Sequence, residues 1–514
     1  MVPAEGRHPF TERLGAVPFD DGTVDIRVWA PKARSLAVHT ADGAHSLDRG
    51  DASLWGGRFA GAAGSEYLIA IDGEVTYPDP CSRAQPYGVR GPSQVVDASV
   101  FDWTDAAWEG VALEDLVIYE LHVGTVSEEG TFDGAIPQLG ALSALGVTAI
   151  EVMPIGTFPG ERGWGYDGLY TFAPHPAYGG PEGFARLVDA AHAVGLGVFL
   201  DVVYNHVGPG NEALTAFAPY FTPKHDTFWG DAIDYAQRGV REWAIQNAEM
   251  WVRDYHVDGL RLDAVHAIFD DTPYHICAEL GDRVRAVSDH VLVTSEMSVN
   301  DYRPIDDWGH DAQWADRSHH ELHVLLTGER EGYYGKYGSV RSLAEDLQGR
   351  GRDPKRLIVC AQNHDQVGNR AMGDRLPPDA LRVAAALTLF SPCTPLLFMG
   401  EEYSEAHPFQ FFTDHIDPEI AEATRAGRKR EFKAFSSFSG EEVPDPQDVE
   451  TFLRSKLAQR DADPLYRELL QLRRELPREL EILEADDEQK LLRVRRGTVE
   501  LAVDFEAWKV EVRR

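Results

Sequence analysis

Hydrophobic and polar positions follow two different patterns along this chain. From about residue 10 to residue 105, short runs alternate apolar and polar side chains, as in Val24–Trp29 (VDIRVW), and turn signals such as Asp42-Gly43 separate them. Alternation with a period of two is typical of strands that bury one face. This segment therefore predicts a small antiparallel β-sandwich of the immunoglobulin-like kind.

After about residue 114, short apolar runs that predict buried strands alternate with helical stretches. The clearest helical stretch is Arg238–Tyr255, which directly precedes one of these runs. Repeated strand-then-helix units are typical of a parallel sheet, and eight of them predict a closed (β/α)8 barrel of the α/β class. The eight predicted strands are Leu116–Val123, Val147–Met153, Gly197–Val203, Gly259–Val265, Val291–Ser295, Ala312–Trp314, Leu357–Ala361 and Leu396–Met399.

The chain length of 514 residues leaves room for more than the barrel. A barrel of this type takes roughly 250 residues, or more when its loops carry insertions. From about residue 484 the pattern is strand-like again. We therefore expect three domains, namely an N-terminal β-sandwich at 1–105, a catalytic barrel at 106–482 and a small C-terminal β-element at 483–514.

Composition excludes several classes of partner. The formal net charge of −35 repels nucleic acid and anionic membranes. No apolar run reaches the roughly 18 residues of a membrane helix, and the first ten residues lack the apolar core of a signal peptide. The four cysteines have the spacing of neither a zinc site nor a disulfide framework. We therefore expect a cytoplasmic protein, and the sequence does not predict its oligomeric state.

Polar side chains cluster where four of the predicted barrel strands end. Active sites of such barrels lie at the C-terminal ends of the strands, so these segments are expected to meet. Because residues two apart on a strand point to the same side, Arg261 and Asp263 face one space. The four polar strand ends are Asp201–His206, Arg261–Asp263, Ser295–Glu296 and Gln362–Asp365.

The residue types at these strand ends suit glycoside hydrolysis. An arginine beside Asp263 favours its ionised form, which a nucleophile requires, whereas a buried Glu296 near negative charge would keep its proton. Two carboxyl groups separated by roughly 5–5.5 Å hydrolyse a glycosidic bond with retention of configuration. Asp201 is expected to support the site by pairing with Arg261. Alone, each motif has an ordinary structural explanation; together on successive strands, they favour a carboxylate-based site.

These four segments, in this order, resemble the four signature regions of the α-amylase superfamily, the family 13 glycoside hydrolases. The resemblance covers nearly the whole chain. It implies that Asp263 is the nucleophile, that Glu296 is the general acid/base, and that Asp365 is a third carboxylate which binds sugar hydroxyls. It also implies that no cofactor or metal is required. The substrate contacts that it implies are Tyr166, Asp167, His206, Arg261, His266 and His364.

Longer stretches narrow the resemblance. GWGYDGLYTFAPHPAYGGP from Gly163 and MGEEYSEAHPFQFFTDH from Met399 are similar to maltooligosyl trehalose trehalohydrolases. Membership of that family would imply cleavage of the α-1,4 bond next to the terminal trehalose unit of maltooligosyl trehalose. It would also imply a maltooligosyl trehalose synthase that acts earlier in the pathway. We expect the contacts that select trehalose in the loops Pro154–Gly180 and Gly400–His415.

Other interpretations stay open at this point. A glycogen-branching enzyme or a general α-glucan hydrolase would use the same carboxylates, and an inactive carbohydrate-binding protein could share the barrel. Aromatic side chains could line sugar subsites, although packing is the expected role of each one. These aromatic residues are Trp229, Trp314, Phe411 and Phe412.

Overall fold

An antiparallel sheet occupies the N-terminal part of the computed structural model, which describes residues 10–432 and 443–514. Val24, Ile26 and Val28 are buried, whereas the intervening Asp25 and Arg27 are partly exposed, so the alternation in the sequence becomes one buried face. This confirms the predicted antiparallel N-terminal fold. The strands are Gly15–Pro18, Thr23–Trp29, Leu36–Thr40, Gly43–Arg49, Leu54–Ala60, Glu66–Ile71, Val75–Tyr77 and Ser93–Gln94. The expectation about a signal peptide falls largely on residues 1–9, outside the described residues.

Eight parallel strands then close into a barrel, in which the last strand pairs with the first through Leu396 and Ile118. Seven of the predicted runs contain one of these strands, and the last run, Leu396–Met399, overlaps the eighth strand, so the predicted barrel is confirmed. We number them barrel strands 1 to 8 in chain order. They are Ile118–Leu121, Ala149–Val152, Gly197–Val202, Gly259–Leu262, Leu292–Ser295, Ala312–Trp314, Leu357–Cys360 and Thr394–Phe398.

Helices surround the barrel, and Arg238–Tyr255 has the bounds that the sequence predicted. The other longer helices are Phe132–Leu145, Gly180–Ala193, Ile276–Val287, Asp316–Thr327, Val340–Leu347, Pro378–Phe390, Pro418–Phe432 and Pro464–Glu475. Shorter helices are Val123–Val126, Glu212–Phe217, Arg303–Asp306, His364–Gly368 and Val449–Arg454. Two strand pairs extend the loops after barrel strands 2 and 3, namely Gly156–Thr157 with Tyr170–Pro174 and Phe221–Thr227 with Gly230–Ile233.

The interior of the barrel is apolar at one level and charged at the next. Phe199 fills the space beside Gly259, where an added Cβ would lie 2.3 Å from the ring, so a larger residue there would displace the ring. Two residues further along the same strands, Asp201 is paired in register with Arg261. The site therefore rests on an apolar floor. That floor consists of Leu116, Ile118, Ala149, Phe199, Ala312, Trp314, Ile358 and Leu396.

A four-stranded antiparallel sheet ends the chain, as the strand-like pattern near residue 484 predicted. Hydrogen bonds fix both outer sheets to the barrel helices: Leu14 N donates to Gln246 Oε1 (2.8 Å), and Trp508 Nε1 donates to Leu326 O (2.9 Å). The C-terminal strands are Glu481–Asp486, Leu491–Arg496, Val499–Asp504 and Lys509–Arg513. Within the described ranges, no helix combines the length and apolar character needed to cross a bilayer.

Candidate active site

One guanidinium group holds three carboxylates at the mouth of the barrel. Arg261 Nη1 donates to Asp201 Oδ2 (2.8 Å) and to Asp263 Oδ1 (2.7 Å), and Nη2 donates to Glu296 Oε2 (2.8 Å). Arg261 is fully buried, and its guanidinium carbon lies 4.2 Å from the ring centroid of Trp314. Acids from barrel strands 3 and 4 and from the end of strand 5 therefore converge on a single cation.

Asp263 is held in its ionised form. Burial alone would raise the pKa of this carboxyl, but the charges of Arg261 and His206 outweigh burial and lower it. A hydrogen bond from Asn205 Nδ2 to Asp263 Oδ2 (2.6 Å) lowers it further. Asn205 was not among the predicted site residues, although it lies inside the Asp201–His206 segment. The result is a carboxylate that is charged at neutral pH.

Glu296 is shifted in the opposite direction. Burial raises its pKa well above the usual range, against the lowering influence of Arg261. The negative charges of Asp263, Asp365 and Asp316 add to the rise. Neighbouring carboxyls with opposed pKa shifts give one ionised group and one protonated group, which is the arrangement of a nucleophile beside a general acid.

A strained turn follows Asp263 and ties it to the acid. Ala264 has φ +38°, in the left-handed region where a side chain costs about 1–3 kcal/mol. Its N–H donates to Glu296 Oε2 (3.1 Å), and Val265 N–H donates to Glu296 O (3.0 Å). The strain is thus maintained by contacts that fix the position of Glu296 relative to Asp263.

On the other side of Arg261, Tyr166 and His364 form a second part of the site. Tyr166 OH donates to Asp201 Oδ2 (2.7 Å) and accepts from His364 Nε2 (2.8 Å), and the two rings stack. His364 Nδ1 donates to Glu120 Oε1 (2.5 Å). Burial lowers the pKa of His364, but Asp365 and Glu120 together raise it to about 10. A positively charged imidazolium therefore lies beside Asp365, with Nε2 3.4 Å from its Oδ1.

The remaining predicted contacts lie around this centre. His206 stacks on Trp229, with ring centroids 4.3 Å apart and planes at 4°. His266 lies in the turn after barrel strand 4, where neighbouring atoms displace part of the water around its ring and so lower its pKa, while the charge of Asp263 opposes that shift. Asp167 is at the edge of the site, with Oδ2 3.7 Å from His415 Nε2.

Two buried acids inside the barrel were missed at the sequence level. Glu120 and Glu151 are neighbours in register on barrel strands 1 and 2. Glu120 accepts both the backbone N–H and the imidazole N–H of His364. Neither carboxyl oxygen of Glu151 has a hydrogen-bond partner, and burial raises its pKa well above the usual range. The available signal was an acid in the middle of each apolar run, IYEL and AIEV.

The four aromatic residues that could line sugar subsites differ in how far they are exposed. Trp314 and Phe412 are buried, and Phe411 packs edge-on against Trp164 at 5.2 Å. Trp229, in the turn of the Phe221–Ile233 hairpin, is 44% exposed. Among these four residues, Trp229 alone is exposed, and its ring stacks on His206 of the site.

A parallel eight-stranded barrel with an ionised and a protonated carboxyl at the ends of strands 4 and 5 is an arrangement that suits a glycoside hydrolase, and the relatives of this chain place it in the α-amylase superfamily. Residues 103–229 match the alpha-amylase family, described as "Alpha amylase, catalytic domain". The chain is 44% identical to the malto-oligosyltrehalose trehalohydrolase of Deinococcus radiodurans, over 92% of this chain and 84% of that protein. It is 40% identical to the enzyme of the same name from Rhizobium sp. (strain M-11), over 93% and 90%. The chain belongs to the malto-oligosyltrehalose trehalohydrolase family.

A solved structure agrees with this assignment of the fold. The crystal structure of a putative alpha amylase from Salmonella typhimurium superposes with a TM-score of 0.89 at 37% identity. The match covers 96% of this chain and 94% of that one, so it includes both outer sheets as well as the barrel.

Proposed function

We propose that this chain hydrolyses the α-1,4-glucosidic bond next to the terminal trehalose unit of maltooligosyl trehalose and releases free trehalose. The observation that supports this chemistry is that Arg261 donates hydrogen bonds to both Asp263 and Glu296, whose pKa values are shifted in opposite directions. Asp263 attacks the anomeric carbon while Glu296 gives its proton to the leaving oxygen. Both carboxylates contact one small guanidinium, and this closeness supports a double displacement with retention.

The second half of the reaction uses the same groups in reverse. Once trehalose has left, the ionised Glu296 takes a proton from a water molecule, whose oxygen bonds to the anomeric carbon while the bond from that carbon to Asp263 breaks. Asp365, beside the charged His364, is placed to accept hydrogen bonds from ring hydroxyls. Tyr166 presents an aromatic face on which the apolar face of the sugar can stack. These roles make Asp365, His364 and Tyr166 binding residues for the sugar that is attacked.

The position of the acid indicates on which side trehalose leaves. Glu296 follows barrel strand 5, which lies across the barrel from strand 1. The leaving sugar lies on the side of the acid, and therefore over strands 4 to 6. The loops Pro154–Gly180 and Gly400–His415 follow strands 2 and 8, which flank strand 1, and Arg162 joins them to each other by its ion pair with Asp414 (2.7 Å). We propose that these loops also contact the maltooligosyl side; that they hold the contacts which select trehalose stays a prediction from the sequence.

The choice of substrate rests on the family. All bonds of an α-1,4-glucan are chemically alike, so selection requires contacts that favour one transition state. The relatives from Deinococcus radiodurans and Rhizobium sp. are named for action on malto-oligosyltrehalose. Such a substrate must come from an enzyme that rearranges the reducing end of a maltooligosaccharide, as a maltooligosyl trehalose synthase does. A cytoplasmic setting is supported by four unpaired cysteines.

We also propose the division into 1–105, 106–482 and 483–514 as the domain organisation. The N-terminal sheet, which ends at Gln94, and the C-terminal sheet, which begins at Glu481, are both separate from the barrel and support this division.

Chromatography of early products tests the proposed activity. Maltotriosyl trehalose should give trehalose and maltotriose in equal amounts, and maltopentaose should be cleaved at least 100-fold more slowly. A spread of glucose and maltose, or equal rates on both substrates, would show a general α-glucan hydrolase instead. Loss of iodine staining of amylose without new reducing ends would show a branching enzyme. Binding without turnover would show an inactive carbohydrate-binding protein.

A further inference from the structure

A fourth carboxyl group, Asp316, stands at the mouth of the barrel between the acid and the third carboxylate. It follows barrel strand 6, Ala312–Trp314, by two residues, and it is partly buried. Strand 6 pairs with strand 5 through Gln313 and Ser295, so its end lies next to the end that carries Glu296. Strand 7, which precedes Asp365, flanks it on the other side.

The position of Asp316 is fixed relative to the loop that carries the acid. Gln313 Nε2 donates to Asp301 O (2.9 Å), and Arg317 Nη1 donates to Asn300 Oδ1 (2.6 Å). These hydrogen bonds come from the two residues that flank the segment 314–316, and both reach the loop after strand 5. Asp316 is therefore held beside the side of the site where the leaving sugar lies.

Helix capping does not account for this residue. Asp316 is the first residue of the helix Asp316–Thr327, where an acid often interacts with the helix dipole. The cap residue is Ala315, however, and no side chain caps this helix. Within the part of the chain that the structure describes, no hydrogen bond or ion pair reaches the carboxyl group of Asp316.

The carboxyl group of Asp316 lies among other charged groups of the site. Burial, together with the nearby charge of Asp365, raises the pKa of Asp316 to about 7. Perturbed acids that no structural contact explains are typical of functional sites. A hydroxyl group of a bound sugar can donate a hydrogen bond to this carboxyl group, because a carboxyl group accepts one in either protonation state.

We propose that Asp316 binds a hydroxyl group of the leaving sugar, and so helps to select the trehalose unit. This inference rests on the proposed function for the identity of that sugar. Asp316 does not take part in bond cleavage; it is a specificity residue on the leaving side. Its removal should therefore affect substrates and inhibitors that occupy this side and spare those that do not.

The test uses Asp316→Asn and Asp316→Ala in the full chain. The matched control is Asp379→Asn, because Asp379 is an exposed acid in the first turn of another helix, Pro378–Phe390. Three quantities are measured: kcat/KM on maltotriosyl trehalose, kcat/KM on α-maltotriosyl fluoride, which has no leaving sugar, and the inhibition constant of free trehalose. Circular dichroism and thermal unfolding check that each variant is folded.

Asp316→Ala should lower kcat/KM on maltotriosyl trehalose tenfold to 100-fold, which corresponds to about 1.4–2.8 kcal/mol. It should raise the inhibition constant of trehalose at least tenfold and change the rate on the fluoride less than threefold. Asp316→Asn should fall between Asp316→Ala and the wild type, and Asp379→Asn should match the wild type. Equal losses on both substrates, or an unchanged inhibition constant for trehalose, would overturn the inference.

The proposed function can fail separately. If the wild type cleaves maltopentaose as fast as maltotriosyl trehalose, the preference for trehalose is wrong. The role of Asp316 is then measured with maltopentaose as the substrate and maltose as the inhibitor, with the same expected changes.

Discussion

Substitution of Arg261 separates the effect of its charge from the effect of its shape. The guanidinium uses Nη1 for Asp201 and Asp263 and Nη2 for Glu296, with distances of 2.7–2.8 Å. Arg261→Lys keeps the positive charge but offers a single ammonium, which cannot occupy both nitrogen positions. At least one charge-assisted hydrogen bond is lost, at about 1.5–3 kcal/mol. We expect kcat to fall about 10-fold to 150-fold, because ~1.4 kcal/mol corresponds to tenfold in rate.

Arg261→Gln removes the charge as well, and the pH profile should report it. The guanidinium is the largest influence that lowers the pKa of Asp263 and of Glu296, so both values rise when it is lost. Asp263 must be ionised and Glu296 protonated, so both limbs of the plot of kcat/KM against pH move to higher pH. In Arg261→Lys the charge remains, and the profile should keep its position while its height falls.

The assay is release of maltotriose from maltotriosyl trehalose across the pH range in which each variant stays folded. Folding is checked by circular dichroism at every pH, since loss of a buried cation among acids also affects stability. A kcat for Arg261→Lys within threefold of the wild type would show that catalysis does not need hydrogen bonds from two separate nitrogens of residue 261. A profile of Arg261→Gln that stays in place, or moves to lower pH, would refute the electrostatic role.

Three further substitutions test the neighbouring acids. Asp263→Asn should abolish turnover while circular dichroism stays unchanged, and activity within tenfold of the wild type would rule out the nucleophile. Glu296→Gln should slow the natural substrate far more than α-maltotriosyl fluoride, whose leaving group needs no proton; equal losses would argue against a general acid. Glu151→Gln should raise the melting temperature at pH 7. The pKa of Glu151 in the folded protein lies above its value in the unfolded chain. The free energy of unfolding therefore falls by about 1.4 kcal/mol for each unit by which the pH rises from the unfolded toward the folded pKa. The wild type and this variant should therefore converge near pH 4, and a lower melting temperature of the variant at pH 7 would contradict the reasoning.

Elements whose residues are mostly buried were among the most predictable from the sequence. Barrel strand 6 is only three residues long, yet Ala312–Trp314 was predicted with its observed bounds, because the repeating pattern required a strand there. The helix Arg238–Tyr255 was predicted with the same accuracy. The juxtaposition of Arg261 with Asp263 followed from strand geometry alone, since residues two apart share a face.

Contacts between distant segments were not predictable in this way. His364 meets Glu120 across 244 positions in the chain, and Tyr166 reaches Asp201 from a loop. Nothing local to any of these residues indicates its partner. The left-handed backbone of Ala264 was equally hidden, because alanine carries no sequence signal for that conformation. Their arrangement depends on closure of the barrel, which brings strands 1 and 7 and the loop after strand 2 to one mouth.

The balance of charge at this mouth suits the reaction better than the net charge of the whole chain does. Two cations are present in the hydrogen-bonded network, Arg261 and His364, and Tyr166 and Asp201 link them. Five carboxyl groups contact these cations, and they are Glu120, Asp201, Asp263, Glu296 and Asp365. Even with Glu296 protonated, carboxylates outnumber cations in a site from which much of the water is excluded. Cleavage of a glycosidic bond develops positive charge at the anomeric carbon, and an excess of fixed negative charge stabilises that transition state more than the neutral substrate. The net charge of −35, which is spread along the whole chain, contributes little to the stabilisation of the transition state, because exposed charges are screened beyond about 10 Å.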